Sequence, residues 1–236
     1  MMLDSHSTQD NLMFADNHRD QITSRLAPWL IKIAYPLAYY LIMPFYFRQI
    51  EITGQENVPP SGPVIVAPTH RSRWDALMVP YALGRWVSGR DPYFMVSAPE
   101  MRGVQGWLIS RLGGFPVNIE RPGLGTLRHS FELLSQGEMV VIFPEGGIFR
   151  DRQVHPLKTG VARIALEVAS AKPHSGMKIL PVSIKYSQPI PRRGCQVEVK
   201  IGPCLNVAEY RQNSLKKERE KLTADLELAL KQLHRG

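Results

Sequence analysis

The chain has 236 residues, of which 44% are apolar and 21% charged, enough for one well-filled α/β domain, and no Pro/Gly/Ser-rich linker divides it in two. A formal net charge of +8 calls for an anionic partner, which the charge alone leaves open among nucleic acid, an anionic membrane surface and a phosphate-bearing substrate. No Cys/His cluster of metal-ligand spacing, no His-Glu-x-x-His and no Gly-rich nucleotide loop occurs, so neither a metal nor a nucleotide cofactor is indicated.

Residues 1–25 are polar and without period, and are expected to be disordered; they lack the basic start and small-residue cleavage site of a secretory signal. Residues 26–47 are apolar, with one charge, Lys32, and seven aromatic side chains. The stretch is long enough to cross a bilayer, but Pro36 and Pro44 interrupt helical hydrogen bonding and the Trp and Tyr side chains favour the headgroup boundary. The expectation is a hairpin of two short helices lying in a membrane interface, with an ordinary buried hairpin as the alternative.

From residue 48 onward strands and helices alternate. The pattern predicts strands at Pro63–Pro68, Tyr93–Ser97, Phe115–Ile119, Glu138–Phe143, Ile179–Tyr186 and Gln196–Ile201. Between them it predicts helices at Asp75–Leu83, Val104–Leu112, Leu124–Ser135 and Leu157–Ala171. That is an α/β fold, a mostly parallel sheet flanked by helices, whose ligands collect beyond the strand C-termini. Leu215, Leu222, Leu226, Leu230 and Leu233 recur at helical spacing opposite a charged face, which reads as a terminal helix packed on the core. Cys195 and Cys204 flank the last long strand; roughly 30 Å of extended chain between them reads as two free thiols in a reducing compartment.

His70 stands where the strand Pro63–Pro68 runs out, and Asp75 follows five residues on, in the first turn of the next helix. A carboxylate there can turn back to bind Nδ1, the geometry of a general base with its orienting anion. A capping Asp beside a structural His would give the same spacing. No Gly-x-Ser-x-Gly and no other Ser or Cys nucleophile motif accompanies the pair, so the proton to be taken belongs to a substrate hydroxyl. The other six histidines lie in polar or terminal surroundings with no partner spacing, as surface residues do.

Three further segments follow in order: Gly113-Gly-Phe-Pro-Val-Asn-Ile-Glu-Arg121, Val141-Ile-Phe-Pro-Glu-Gly-Gly147 and Ile179-Leu-Pro-Val-Ser-Ile184. With the His70–Asp75 block they resemble the four blocks of the glycerolipid acyltransferase superfamily, in particular the 1-acylglycerol-3-phosphate O-acyltransferases, over roughly residues 50 to 190. The resemblance implies an acyltransferase domain over residues 48–236 that moves a fatty acyl group from acyl-CoA or acyl-carrier protein to the free hydroxyl of 1-acylglycerol 3-phosphate, forming phosphatidic acid, with His70 and Asp75 catalytic. Acylation of another lysophospholipid or lyso-lipid, or a non-catalytic peripheral membrane protein of the same fold, are the alternatives. No resident cofactor is expected, and the lack of a nucleic-acid motif or aromatic-basic stripe argues against a nucleic-acid partner. The expected location is the cytoplasmic face of a membrane, the resemblance favouring the interfacial reading of residues 26–47.

By the same resemblance Arg121 binds the acceptor's phosphate, for which a planar guanidinium is suited, and Glu145 accepts hydrogen bonds from its glycerol hydroxyls while Gly146 shapes the turn. A helix-terminal carboxylate, or the partner of a nearby Arg, is the competing reading of Glu145. Lys158 and Gly160 open the helix after that block, where backbone N–H groups and an ammonium can meet the same phosphate. The third block departs from the family pattern, in which a Thr and an Arg follow the Gly directly. Here it reads Gly146-Gly-Ile-Phe-Arg150, and Arg150 is expected to replace the missing Arg from a displaced position. Pro181, in the fourth block, borders the acyl-donor region in the family; its own sequence supports only an apolar strand.

Overall fold

A computed structural model describes residues 22, 24–118, 123–211 and 214–235. Most of the segment expected to be disordered lies outside them, as do Arg121 and residue 119 at the end of the third predicted strand.

Among the described residues eight strands form one sheet: β1 (Phe47–Thr53), β2 (Val64–Pro68), β3 (Tyr93–Ser97), β4 (Gly114–Val117), β5 (Met139–Val141), β6 (Lys178–Tyr186), β7 (Cys195–Ile201) and β8 (Leu205–Asn206). Their order is β1-β7-β6-β2-β5-β3-β4, with β8 on β6. Every pairing along that path is parallel except β6 with β7, and β8 is also antiparallel to β6. The predicted mostly parallel sheet is thus the observed one. β2 is buried at all five positions, the continuous apolar run of a strand covered on both faces.

Alternate residues of β2 face two cores. Ile65 and Ala67 join the helices Gly160–Ala171 and Leu215–Arg235 on one side; Val64 and Val66 join the helix Asp75–Leu83 together with Met43 and Phe47 on the other. The terminal helix seats Leu222, Leu226 and Leu230 in the first core, each contributing on the order of 2 kcal/mol by burial. Both cysteines carry free thiols, and burial pushes the Cys204 thiol up from its ordinary range.

The N-terminal segment differs from the expected hairpin. Helical turns run without a break from Pro28 to Tyr46, α-helical at both ends and widened to π-turns over Leu37–Ile42. Proline has a helical φ but lacks the N–H and crowds the carbonyl four residues back; here the run stays helical through both prolines, with the wider turns over Leu37–Ile42 lying between them. One face of this run packs inward: Tyr39 stacks on Tyr81 with ring centroids 4.5 Å apart, and Tyr46 lies 4.1 Å from Trp74. The opposite face leaves Trp29, Ile33, Leu37, Leu41 and Phe45 exposed at intervals of four. Among the described residues no helix is long and apolar enough to cross a membrane.

Candidate active site

Thr69 and His70 leave the C-terminal end of β2 near the middle of the sheet. The Thr69 hydroxyl accepts from the Ile184 N–H at 2.9 Å and donates to the Ile184 carbonyl at 3.3 Å, which ties this exit to β6. His70 Nδ1 is 2.9 Å from Asp75 Oδ2, so the pair expected from the spacing is formed. The same oxygen accepts the N–H of Arg71 at 2.6 Å and of Ser72 at 2.9 Å, and Asp75 is 0% exposed. A carboxylate oxygen that accepts from three N–H donors fixes the imidazole with its proton on Nδ1. Nε2 is then the basic nitrogen, and none of the described residues bonds to it. The ring is steadied by Phe143, stacked 3.9 Å away at 21°.

His70 opens onto a cavity of about 850 Å³ that reaches from the ends of β2, β3 and β5 to the N-terminal helical run. Ile31, Tyr39, Leu77 and Ile109 give it apolar walls, while Lys158, Thr159 and Gly160 border it near His70. Such a shape, apolar with a few convergent polar groups, suits a ligand with a long hydrocarbon portion and a polar reacting end.

Lys158 and Gly160 therefore sit where the sequence put them, at the mouth of the helix Gly160–Ala171 and on the cavity. The helix begins three residues later than predicted: Leu157 and Lys158 lie outside it, the Lys158 N–H bonds to the Pro144 carbonyl at 2.9 Å, and Thr159 caps its start in a helical φ/ψ. Gly146 has a left-handed φ of 72°, and a Cβ there would stand 2.5 Å from Lys158 Cε, so the glycine both makes the turn and leaves room for the lysine chain.

Glu145 is a correction. Its oxygens do not reach the cavity: Oε1 accepts the His70 N–H at 3.1 Å, Oε2 accepts the His155 N–H at 3.1 Å, and Arg71 Nη1 lies 3.0 Å from both. All the acceptor positions of the carboxylate are thereby filled from within the protein, leaving none for a glycerol hydroxyl. The competing reading, partner of an Arg, describes it. Arg71, 5% exposed at its side chain, also donates to the Gln153 carbonyl at 2.8 Å, so the ion pair straps the loop after β5 onto the loop that carries His70.

Arg150 is a second correction. It is exposed and borders a smaller cavity of about 490 Å³, shared with Lys185 and Tyr186, rather than the one onto which His70 opens. The two extra residues before it carry its side chain past the turn: the Phe149 N–H bonds to the His70 carbonyl at 2.9 Å, and Arg150 comes after that bond.

Two residues at the site escaped the sequence reading. Arg71 lies inside the His-to-Asp motif, and a cation beside the base was its only signal. Tyr186 reaches in from the end of β6, its hydroxyl 2.7 Å from Asp75 Oδ1, with nothing local in sequence to mark it.

The model of the family described as Acyltransferase matches residues 49–185, more than half of the chain. A 1-acyl-sn-glycerol-3-phosphate acyltransferase of Bacillus subtilis (strain 168) is 28% identical over 117 residues, which are 49% of this chain and 56% of that protein. The chloroplastic 1-acyl-sn-glycerol-3-phosphate acyltransferase BAT2 of Brassica napus is 28% identical over 146 residues, 61% of this chain and 38% of that one. The matched part thus spans about half or less of each of these relatives. Among solved structures, the crystal structure of the 1-acyl-sn-glycerophosphate acyltransferase PlsC from Thermotoga maritima superposes with a TM-score of 0.61 at 21% identity, covering 86% of this chain and 78% of that one; it shares the fold.

Proposed function

Because the chain belongs to the acyltransferase family, we propose that it moves a fatty acyl group from the thioester of acyl-CoA or acyl-carrier protein to the free hydroxyl of 1-acylglycerol 3-phosphate, forming phosphatidic acid. The observation that carries this reading is a His–Asp pair whose imidazole opens onto a large apolar cavity. His70 Nε2 takes the hydroxyl proton as the oxygen attacks the thioester carbonyl, and the Asp75 carboxylate stabilises the imidazolium. The tetrahedral intermediate then expels the thiolate, which recovers the proton from His70. Holding both substrates at the mouth of one cavity makes the transfer effectively unimolecular, and no enzyme nucleophile enters the sequence.

Lys158 and the N–H groups at the start of the helix Gly160–Ala171 are suited to the acceptor's phosphate, and Arg121 is the further guanidinium for it that the family's second block implies. Arg121→Ala is expected to raise the apparent KM for 1-acylglycerol 3-phosphate about tenfold or more and to change turnover of a neutral lyso-lipid much less. Steady-state kinetics on both acceptors check this, and equal losses would assign Arg121 to the fold instead. The position of Arg150, away from the cavity, supports a second reading in which the acceptor is another lysophospholipid. Purified protein with a labelled acyl donor and a panel of lysolipids separates these readings; transfer to none of them would remove the acyltransferase assignment altogether.

The protein attaches to the cytoplasmic face of a membrane through the exposed stripe of the N-terminal run, with its basic charge drawn to anionic lipid. Trp29, Ile33, Leu37, Leu41 and Phe45 form a continuous apolar strip on that run, beside the cavity. Substituting Ile33 and Leu41 together by Asp is expected to release the protein from anionic vesicles without unfolding it, since both side chains already face outward. High salt is expected to weaken binding of the unaltered protein only in part, because it screens charge and leaves apolar burial. Flotation assays read both; unchanged flotation of the double variant would move the contact elsewhere.

A further inference from the structure

Three of the four bonds to Asp75 come from its own loop and all end on Oδ2. The fourth crosses 111 residues of sequence: the Tyr186 hydroxyl donates to Oδ1 at 2.7 Å, and it is the sole partner of that oxygen among the described residues. We propose that Tyr186 is a positioning residue for the His70–Asp75 pair, its hydroxyl orienting the carboxylate and dispersing its charge so as to set the pH at which the pair takes up a proton. This goes beyond the acyl-transfer reading and rests on it only for the consequence on rate.

The hydroxyl is held where it is by the sheet. Tyr186 ends β6 opposite Val197 of β7, the next residue's N–H bonds to the Gln196 carbonyl at 2.9 Å, and the ring lies 6.0 Å from that of Phe47 at the start of β1. Two residues earlier on the same strand, Ile184 is bonded through both its N–H and its carbonyl to Thr69. The exit of His70 from β2 and the base of Tyr186 are therefore fixed to each other, and the phenol meets the carboxylate in one geometry. Burial, and then the charge of Asp75, drive the phenol far above its ordinary range, so it remains a neutral donor wherever the pair titrates.

Without that donor, Oδ1 would be a buried carboxylate oxygen with no partner. Its charge would be less dispersed, so the proton affinity of the pair would rise whichever of the two residues carries the proton. The other ionisable groups facing this region stay as they are when the hydroxyl is removed. Arg71 and Glu145 neutralise each other, Lys185 of β6 pairs with Glu198 of β7, and Cys195 sits beside the phenol. Glu51 of β1, Arg150, Asp151 and Arg152 of the loop after β5, and His234 and Arg235 of the terminal helix border the cavity behind it. On the side of His70, Lys158 and Arg73 border the larger cavity.

Tyr186→Phe keeps the ring and its packing and deletes only the donor. The His70 imidazole resonance, assigned by its loss in His70→Gln, is followed by NMR against pH in the full chain with Tyr186 and with Phe at that position. The titration midpoint is expected to move to higher pH by roughly one unit in Tyr186→Phe. In acyl-transfer assays the acid limb of the kcat profile is expected to move with it, with kcat falling on the order of tenfold at acid pH and KM for the acceptor unchanged. An unmoved midpoint, or a loss of rate with the acid limb in place, would reduce Tyr186 to a structural residue. Absence of acyl transfer by the unaltered protein would overturn the enzymatic reading alone, since the NMR titration decides the role of Tyr186 without it.

Discussion

His70→Ala is expected to abolish acyl transfer with the fold retained. A general base contributes roughly 10²–10⁴-fold, and among the described residues no second imidazole borders the cavity to replace it. The side chain lies at the cavity surface and is 19% exposed, so its removal opens space at the mouth instead of a void in either core. Asp75→Asn is expected to lose nearly as much, because a neutral amide cannot stabilise the imidazolium. It is also expected to cost some stability, since the carboxylate holds the Arg71 and Ser72 N–H groups. Circular dichroism and thermal melts separate the two effects, and near-normal turnover by a folded His70→Ala protein would overturn the mechanism.

Arg71→Met is expected to destabilise the protein by about 3–5 kcal/mol, the usual consequence of leaving one member of a buried ion pair alone. Glu145 is fully buried at its side chain and would keep only two backbone donors after losing the guanidinium. The doubly substituted protein, Arg71→Met with Glu145→Gln, is expected to recover a large part of that loss, since no uncompensated charge then remains. The pair is not perfectly satisfied even now, as Arg71 Nε is buried with no partner among the described residues, which leaves room for that recovery. Denaturant unfolding of the two single variants and the double variant measures the coupling. A single-variant loss below about 1 kcal/mol would mean that the strap contributes little.

What could be read from the sequence was what is local. The helices Asp75–Leu83 and Leu124–Ser135 and the strand Tyr93–Ser97 appear with the predicted bounds, because apolar periodicity and the flanking residues act within a few positions. The His70–Asp75 pair was legible for the same reason: five residues separate the groups, and a strand end followed by a helix start fixes how they meet. Across longer separations the reading lost its hold. Glu145 finds Arg71 at 74 residues' distance and Asp75 finds Tyr186 at 111, and only the order of strands in the sheet decides those meetings. The prolines misled in another way. Pro36 and Pro44 signal a break by the donors they lack, yet π-turns between them kept one helical run where two helices were expected.

Direct, base-assisted transfer is tested most directly by mixing the protein with a thioester labelled in its acyl group, with and without 1-acylglycerol 3-phosphate, and reading the label in protein and lipid after denaturation. The account predicts label in phosphatidic acid only when acceptor is present, none bound covalently to the protein at any time, and no labelled lipid with His70→Ala. Acyl groups covalently held by the protein before acceptor is added, and passed on to it afterwards, would contradict the account.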